Sequence, residues 1–171
     1  VAGNSLVNYK TIKDKIKISA YGKYLRKFVN ELDLEDKIKF LGRLSAEEMK
    51  QQYLQCNTFV CASSLENSPN SVGEAMLLGT PVAASRTGGI PSMLEHEKEG
   101  MLFEKGNVKA LAGCIIETWQ DEKKDDIDVM NKNARVRARK AHDAEENYKI
   151  LLEIYCNIIV ADDEEIEFQP L

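Results

Sequence analysis

The sequence has 171 residues, 43% of them apolar and 30% charged, a composition that suits one ordinary globular domain and excludes bulk disorder. Against 23 Lys and Arg stand 28 Asp and Glu, and the net charge of −5 excludes a general nucleic-acid coat while leaving room for a local phosphate site. The longest nearly apolar stretch, Leu151 to Ala161, is broken by Glu153 and Asn157 and is too short for a transmembrane helix. Four scattered cysteines and two histidines argue against a zinc site and for a reduced, cytosolic setting.

The chain opens Val1-Ala2-Gly3, as if in mid-strand, with no signal-peptide pattern, and reads as a piece of a longer protein. Tyr21, Leu25, Phe28, Val29 and Leu32 fall at helical spacing. Lys37 to Leu41 alternates as a strand does, and Gly42 ends it. Ser45 with Glu48 predicts a capping box opening a helix to about Gln55. Thr58 to Ala62 is a continuous apolar run, suited to a parallel strand buried on both faces. A polar loop, Ser63 to Ser71, leads into a helix over Val72 to Leu78, which Gly79 and Pro81 stop. Pro81 to Ser85 is a second buried strand, broken by Gly88-Gly89, and Met101 to Phe103 is a further one. Val108, Leu111, Ala112, Ile115, Ile116 and Trp119 predict an amphipathic helix with Trp119 in the core. Tyr148, Leu151, Leu152, Tyr155 and Ile159 predict another. Residues 1–160 are expected to form the domain, and 161–171 an acidic, frayed tail. The cysteines read as small core fillers, and His96 and His142 as surface residues.

Strands that alternate with helices predict an α/β fold: an open, mostly parallel, Rossmann-like sheet with helices on both faces. Ligands of such sheets bind beyond the carboxyl ends of the strands. That points to the loops at Gly3-Asn4, Gly42-Arg43-Leu44, Ser63 to Ser71 and Arg86 to Gly89. In the third loop, Glu66 and Glu74 form an E-x7-E pair around a helix start at Asn70 and Ser71, where free amides and the helix dipole favour an anion. Two carboxylates flanking a phosphate cradle suit a ligand with a sugar on each side of its phosphates. The same residues also fit a plain alternative, in which Ser71 and Glu74 make a capping box and Glu66 is a solvated loop carboxylate. Gly88 and Gly89 either allow close backbone approach to the sugar or merely turn the chain.

The ordered words Phe40 to Leu44 (FLGRL), Ser63 to Ser85 (SSLENSPNSVGEAMLLGTPVAAS) and Gly88-Gly89-Ile90-Pro91 resemble retaining glycosyltransferases of family 4, also called group 1. The resemblance covers about residues 1 to 155. It implies one half of a GT-B fold, the carboxy-terminal, donor-binding domain. In that family the second Glu, here Glu74, hydrogen-bonds the ribose hydroxyls of the nucleotide. The first, here Glu66, lies near the hexose and is the catalytic candidate, as a group that orients the sugar. Asn67, Ser68, Pro69, Asn70 and Ser71 would line the sugar and diphosphate. Gly42, Arg43 and Leu44 would border the base, and Gly3 and Asn4 the phosphates. Many members have a Gly-Phe-Gly type loop where this chain has Asn67-Ser68-Pro69-Asn70.

The resemblance further implies a nucleoside diphosphate sugar donor with no metal or other cofactor, an amino-terminal acceptor-binding domain as partner, and a role in polysaccharide or glycolipid synthesis in the cytoplasm. The family supplies an Arg and a Lys to the diphosphate from upstream of Gly3. Their loss would remove contacts that contribute about 1.5–3 kcal/mol each, so weak donor binding and no transfer by the fragment are expected. The basic cluster Arg135, Arg137, Arg139 and Lys140 reads either as a peripheral contact with an anionic membrane or as a solvated helix face. Two other activities share this pattern: a nucleotide-binding regulatory module, and a GT-B-type nucleotide-sugar epimerase. No G-x-G-x-x-G or G-x-x-x-x-G-K-[ST] loop supports a dinucleotide enzyme or an NTPase.

Overall fold

The computed structural model describes residues 1–2 and 20–165, the last six as backbone only. Gly3, Asn4 and residues 166–171 lie outside the described residues. The chain forms two compact units, Val1–Gln52 and Tyr53–Leu171.

In the first unit, α1 (Ala20–Glu31) forms where the spacing predicts it. Its buried positions are Gly22 and Val29, whereas Tyr21, Phe28 and Leu32 are exposed. Tyr21, Tyr24 and Phe28 stack along its surface, with ring centroids 6.4 and 6.2 Å apart. The strand expected over Lys37 to Leu41 is reduced to one parallel bridge, Ala2 to Gly42. The Leu41 N–H donates to the Val1 carbonyl at 2.8 Å. The alternation itself holds, for Ile38 is half-buried and Phe40 buried while Lys37 and Lys39 are exposed. Alternation records which side chains face inward, but a ladder also needs a partner, and among the described residues only the Val1–Ala2 segment pairs here.

The helix α2 (Ala46–Gln55) starts with the predicted capping box. The Glu48 N–H donates to Ser45 Oγ at 3.3 Å, and Glu48 Oε2 accepts from the Ser45 N–H at 2.8 Å. The Ser45 N–H foremost, and the Ser45 hydroxyl, which also donates to Glu48 Oε2 at 2.8 Å, hold the Glu48 carboxyl below its usual range.

The second unit carries the sheet. Its elements run β1 (Phe59–Cys61), α3 (Asn70–Leu78), β2 (Val82–Ser85), α4 (Ile90–Met93), β3 (Met101–Phe103), α5 (Val108–Glu117), a 3-10 turn (Asp121–Lys123), α6 (Lys124–Ala141) and α7 (Ala144–Glu165). The three strands are parallel in the order β1–β2–β3, with Val60 opposite Ala83 and Ala84 opposite Leu102. Every residue of β2 and β3 is buried, as continuous apolar runs require. The expectation of burial on both faces fails for β1, an edge strand among the described residues, where Phe59 is half-buried and Val60 exposed. On one face Ala83, Met101 and Phe103 pack against Cys114 of α5 and Met130 of α6. By the pleat, Val82, Ala84 and Leu102 point to the other face.

The long helix α6 presents Met130, Ala134 and Ala138 inward, one turn apart, and packs along α3. Small residues allow this approach: a methyl group added at Gly73 would stand 2.5 Å from Nε2 of His142. The basic cluster is in part structural. Arg135 donates to the Leu78 carbonyl at 2.9 Å, at the end of α3. Arg137 pairs with the buried Glu99 at 3.3 Å and donates to the Ser92 carbonyl at 2.8 Å. Arg139 and Lys140 remain exposed.

Several core expectations are corrected. Trp119 is 68% exposed. The helix α5 ends at Glu117, and Thr118 takes the inward place, donating to the Ile115 carbonyl and so accepting from the Thr58 hydroxyl. Cys61 and Cys114 are buried as expected, but Cys56 and Cys156 are exposed. The helix α7 forms, capped by Asp143, whose carboxylate accepts from the Glu145 and Glu146 N–H groups at 3.0 Å. Its apolar residues, among them Leu151, Tyr155 and Ile159, are exposed. Helical spacing identifies a stripe, but does not guarantee that the same chain covers it.

Candidate functional site

The carboxyl ends of β1 and β2 open into two loops, Ala62 to Pro69 and Arg86 to Gly89. Ser85, the last residue of β2 and fully buried, donates to the Ser63 carbonyl at 2.6 Å. Ser63 in turn donates to Glu66 Oε1 at 2.7 Å. The sheet thus fixes the loop, and the loop fixes the first carboxylate. Neither serine is distinguishable in the sequence from any other polar loop residue.

Gly88 and Gly89 lie against the chain's own backbone. A methyl group at Gly88 would strike the Glu66 carbonyl, and one at Gly89 the Asn67 carbonyl. The backbone that comes close is the chain's own first loop. Beside them Thr87 Oγ1 is buried with no hydrogen-bond partner among the described residues. Arg86, the cation of the second loop, is ion-paired to Glu104 at 3.1 Å.

The first loop ends at Pro69, which caps α3 in an extended conformation with no side-chain hydrogen bond at the cap. Asn70 and Ser71 are therefore the first helical residues, and their amides lead the positive end of the α3 dipole. Ser68 Oγ contacts Sδ of Met93 at 3.5 Å. The helix ends at Gly79, left-handed at φ 76°, whose neighbourhood is filled by Arg135.

Glu74 is the fifth residue of α3 and is exposed. The capping-box alternative is not formed, because the helix starts at Asn70 and Glu74 lies too deep to reach back. Its Oε2 instead accepts from the Tyr53 hydroxyl at 3.2 Å. Sequence reasoning missed Tyr53. It lies 21 residues upstream, and only the fold brings it to Glu74.

The second unit therefore gathers Glu66, Asn67, Ser68, Pro69, Asn70, Ser71 and Glu74 on one loop and the helix that follows it. Gly42, Arg43 and Leu44 belong to the first unit. There Gly42 is buried at φ 73°, Leu44 half-buried and Arg43 exposed.

Residues 6–137 match the family model for Glycosyl transferases group 1. The chain belongs to this family. Among the curated relatives of this group 1 domain, the amylovoran biosynthesis glycosyltransferase AmsK of Erwinia amylovora is 33% identical over 104 residues, 57% of this chain and 26% of AmsK. The structure of Anabaena Alr3699/HepE in complex with UDP superimposes with a TM-score of 0.76 at 25% identity, over 91% of this chain and 40% of that one. The same protein in complex with UDP-glucose gives 0.73. Sucrose-phosphate synthase from Thermosynechococcus elongatus also gives 0.73, at 27% identity over 84% of this chain and 35% of that one. The fold of this group 1 domain is the Rossmann-like half of GT-B glycosyltransferases. It spans between a quarter and two fifths of the length of AmsK and HepE. Among the described residues, no helix is long and apolar enough to cross a membrane.

Proposed function

We propose that this chain is the donor-binding half of a retaining, metal-independent glycosyltransferase that uses a UDP-sugar to build a polysaccharide or glycolipid in the cytoplasm. The observation that carries the reading is the first loop. It holds Glu66 at one end, runs into a helix start with no side-chain cap, and is followed by an outward-facing Glu74. Similarity to a protein solved with UDP and with UDP-glucose supports uridine as the base.

Each residue then has a role that its chemistry allows. Glu74 accepts from the ribose hydroxyls. The amides of Asn70 and Ser71, with the α3 dipole, favour the diphosphate, whose charge grows as the glycosidic bond to it breaks. Glu66, held by Ser63, orients the hexose. The acceptor binds to a facing amino-terminal domain. Transfer therefore needs both halves.

The test is calorimetric titration with UDP, GDP and ADP. UDP should bind, and at a hundredfold excess over Kd it should stabilise the fold by about 2.7 kcal/mol, raising the melting temperature. If none of the three binds at millimolar concentration, the donor-site reading fails. A second expected outcome is that the 171-residue chain by itself shows no acceptor glycosylation with UDP-glucose. Steady product formation would overturn the division of labour between halves.

A further inference from the structure

We propose that Tyr53 is a positioning residue of the donor site, its buried hydroxyl holding one oxygen of Glu74 so that the carboxylate is set for the two ribose hydroxyls before the donor arrives. The inference rests on the reading of Glu74 given above.

The geometry around Tyr53 is closed on every side. The residue is 2% exposed. Its ring meets Phe59 of β1 edge to face, with centroids 5.2 Å apart. Its carbonyl accepts from the buried Thr80 hydroxyl at 2.9 Å, in the turn between α3 and β2. Ring and backbone are thus both pinned, and the hydroxyl has a fixed direction. That hydroxyl donates to Glu74 Oε2 at 3.2 Å. Burial foremost, and the Glu74 carboxylate after it, push the phenol well above its ordinary range. At physiological pH the group is therefore a neutral donor that cannot repel the carboxylate.

Glu74 needs such a partner. A glutamate on an exposed helix face samples many rotamers, and ordering it at binding weakens affinity. A carboxylate has about four lone-pair sites, so one donor from Tyr53 leaves room for two sugar hydroxyls. Tyr53 is rigid because it is buried, and Glu74 is accessible because it is not. Their hydrogen bond passes the rigidity of the core to the surface group.

Tyr53→Phe keeps the ring and its packing and removes only the hydroxyl. The test compares UDP with 2′,3′-dideoxy-UDP, titrated by calorimetry into the full chain, Tyr53→Phe and Glu74→Ala. Tyr53→Phe should weaken UDP roughly three- to thirtyfold, the range that the freedom of one glutamate side chain allows. It should leave dideoxy-UDP affinity and the melting temperature nearly unchanged. Glu74→Ala should abolish the preference for UDP over the dideoxy analogue. An equal loss of both ligands in Tyr53→Phe, or no loss of either, overturns the inference while leaving Glu74 in place. A preference for UDP that survives in Glu74→Ala, or no UDP binding by the unaltered chain, overturns the reading of Glu74 and the inference with it.

Discussion

Glu74→Ala is expected to lower the affinity for UDP at least about a hundredfold, because two charge-assisted hydrogen bonds to the ribose hydroxyls, together about 3–6 kcal/mol, are lost. The size of the effect follows from where the carboxylate stands. Glu74 is exposed on α3 and makes no capping box, and among the described residues its hydrogen-bond partner is Tyr53. The substitution also leaves the buried Tyr53 hydroxyl without its acceptor, which costs the fold about 1–3 kcal/mol. Glu74→Gln separates the two effects. Its amide oxygen can still accept from Tyr53, so the melting temperature should stay close to that of the unaltered chain while UDP binding weakens. Calorimetry and thermal unfolding of the two variants provide the check. UDP affinity in Glu74→Ala within threefold of the unaltered chain would remove Glu74 from the donor site.

Gly89→Ala is expected to displace the first loop and to abolish measurable UDP-glucose binding. The added methyl group meets the Asn67 carbonyl, which is backbone and cannot rotate aside. Overpacking of this kind costs about 1–3 kcal/mol and moves what it meets. What it meets here is the segment between Glu66 and the start of α3. Gly89 has φ −82°, so the effect is purely steric. Gly88→Ala adds a second penalty: at φ 56° an alanine is strained by about 1 kcal/mol more, besides striking the Glu66 carbonyl. Gly106→Ala is the control, because its φ is 78° but nothing lies within 4 Å of the added carbon. The melting temperature should therefore fall least in Gly106→Ala and most in Gly88→Ala, at about 2–4 °C per kcal/mol for a chain of this size. Full UDP-glucose affinity in Gly89→Ala would show that the loop has room to spare and does not shape the site.

Much of the second unit was legible before any coordinates. Continuous apolar runs announced β1 and β2 as parallel strands, although only β2 is covered on both faces, β1 being an edge strand among the described residues with Val60 exposed. The Ser45–Glu48 box and the stop at Gly79 were readable because caps are local chemistry within four residues. The loop from Ser63 to Ser71 was recognisable as a candidate site by its place after a strand and before a helix. Trp119, Cys56 and Cys156 were misplaced because helical spacing and residue type report a tendency to be buried, and not which neighbour does the burying.

What the sequence by itself determined was therefore the order of elements, the family and the loop that carries the two glutamates. These depend on local periodicity, on turn chemistry and on short words that survive within one stretch of chain. The tertiary structure alone decided how those glutamates are held. Ser85 anchors Ser63, which holds Glu66; Gly88 and Gly89 admit the loop; and Tyr53 reaches Glu74. Apart from Ser63 and Glu66, which share one loop, each of these links joins residues from different strands, helices or loops. A hydrogen bond at 3 Å depends on how those elements pack, and no periodicity along the chain encodes that distance.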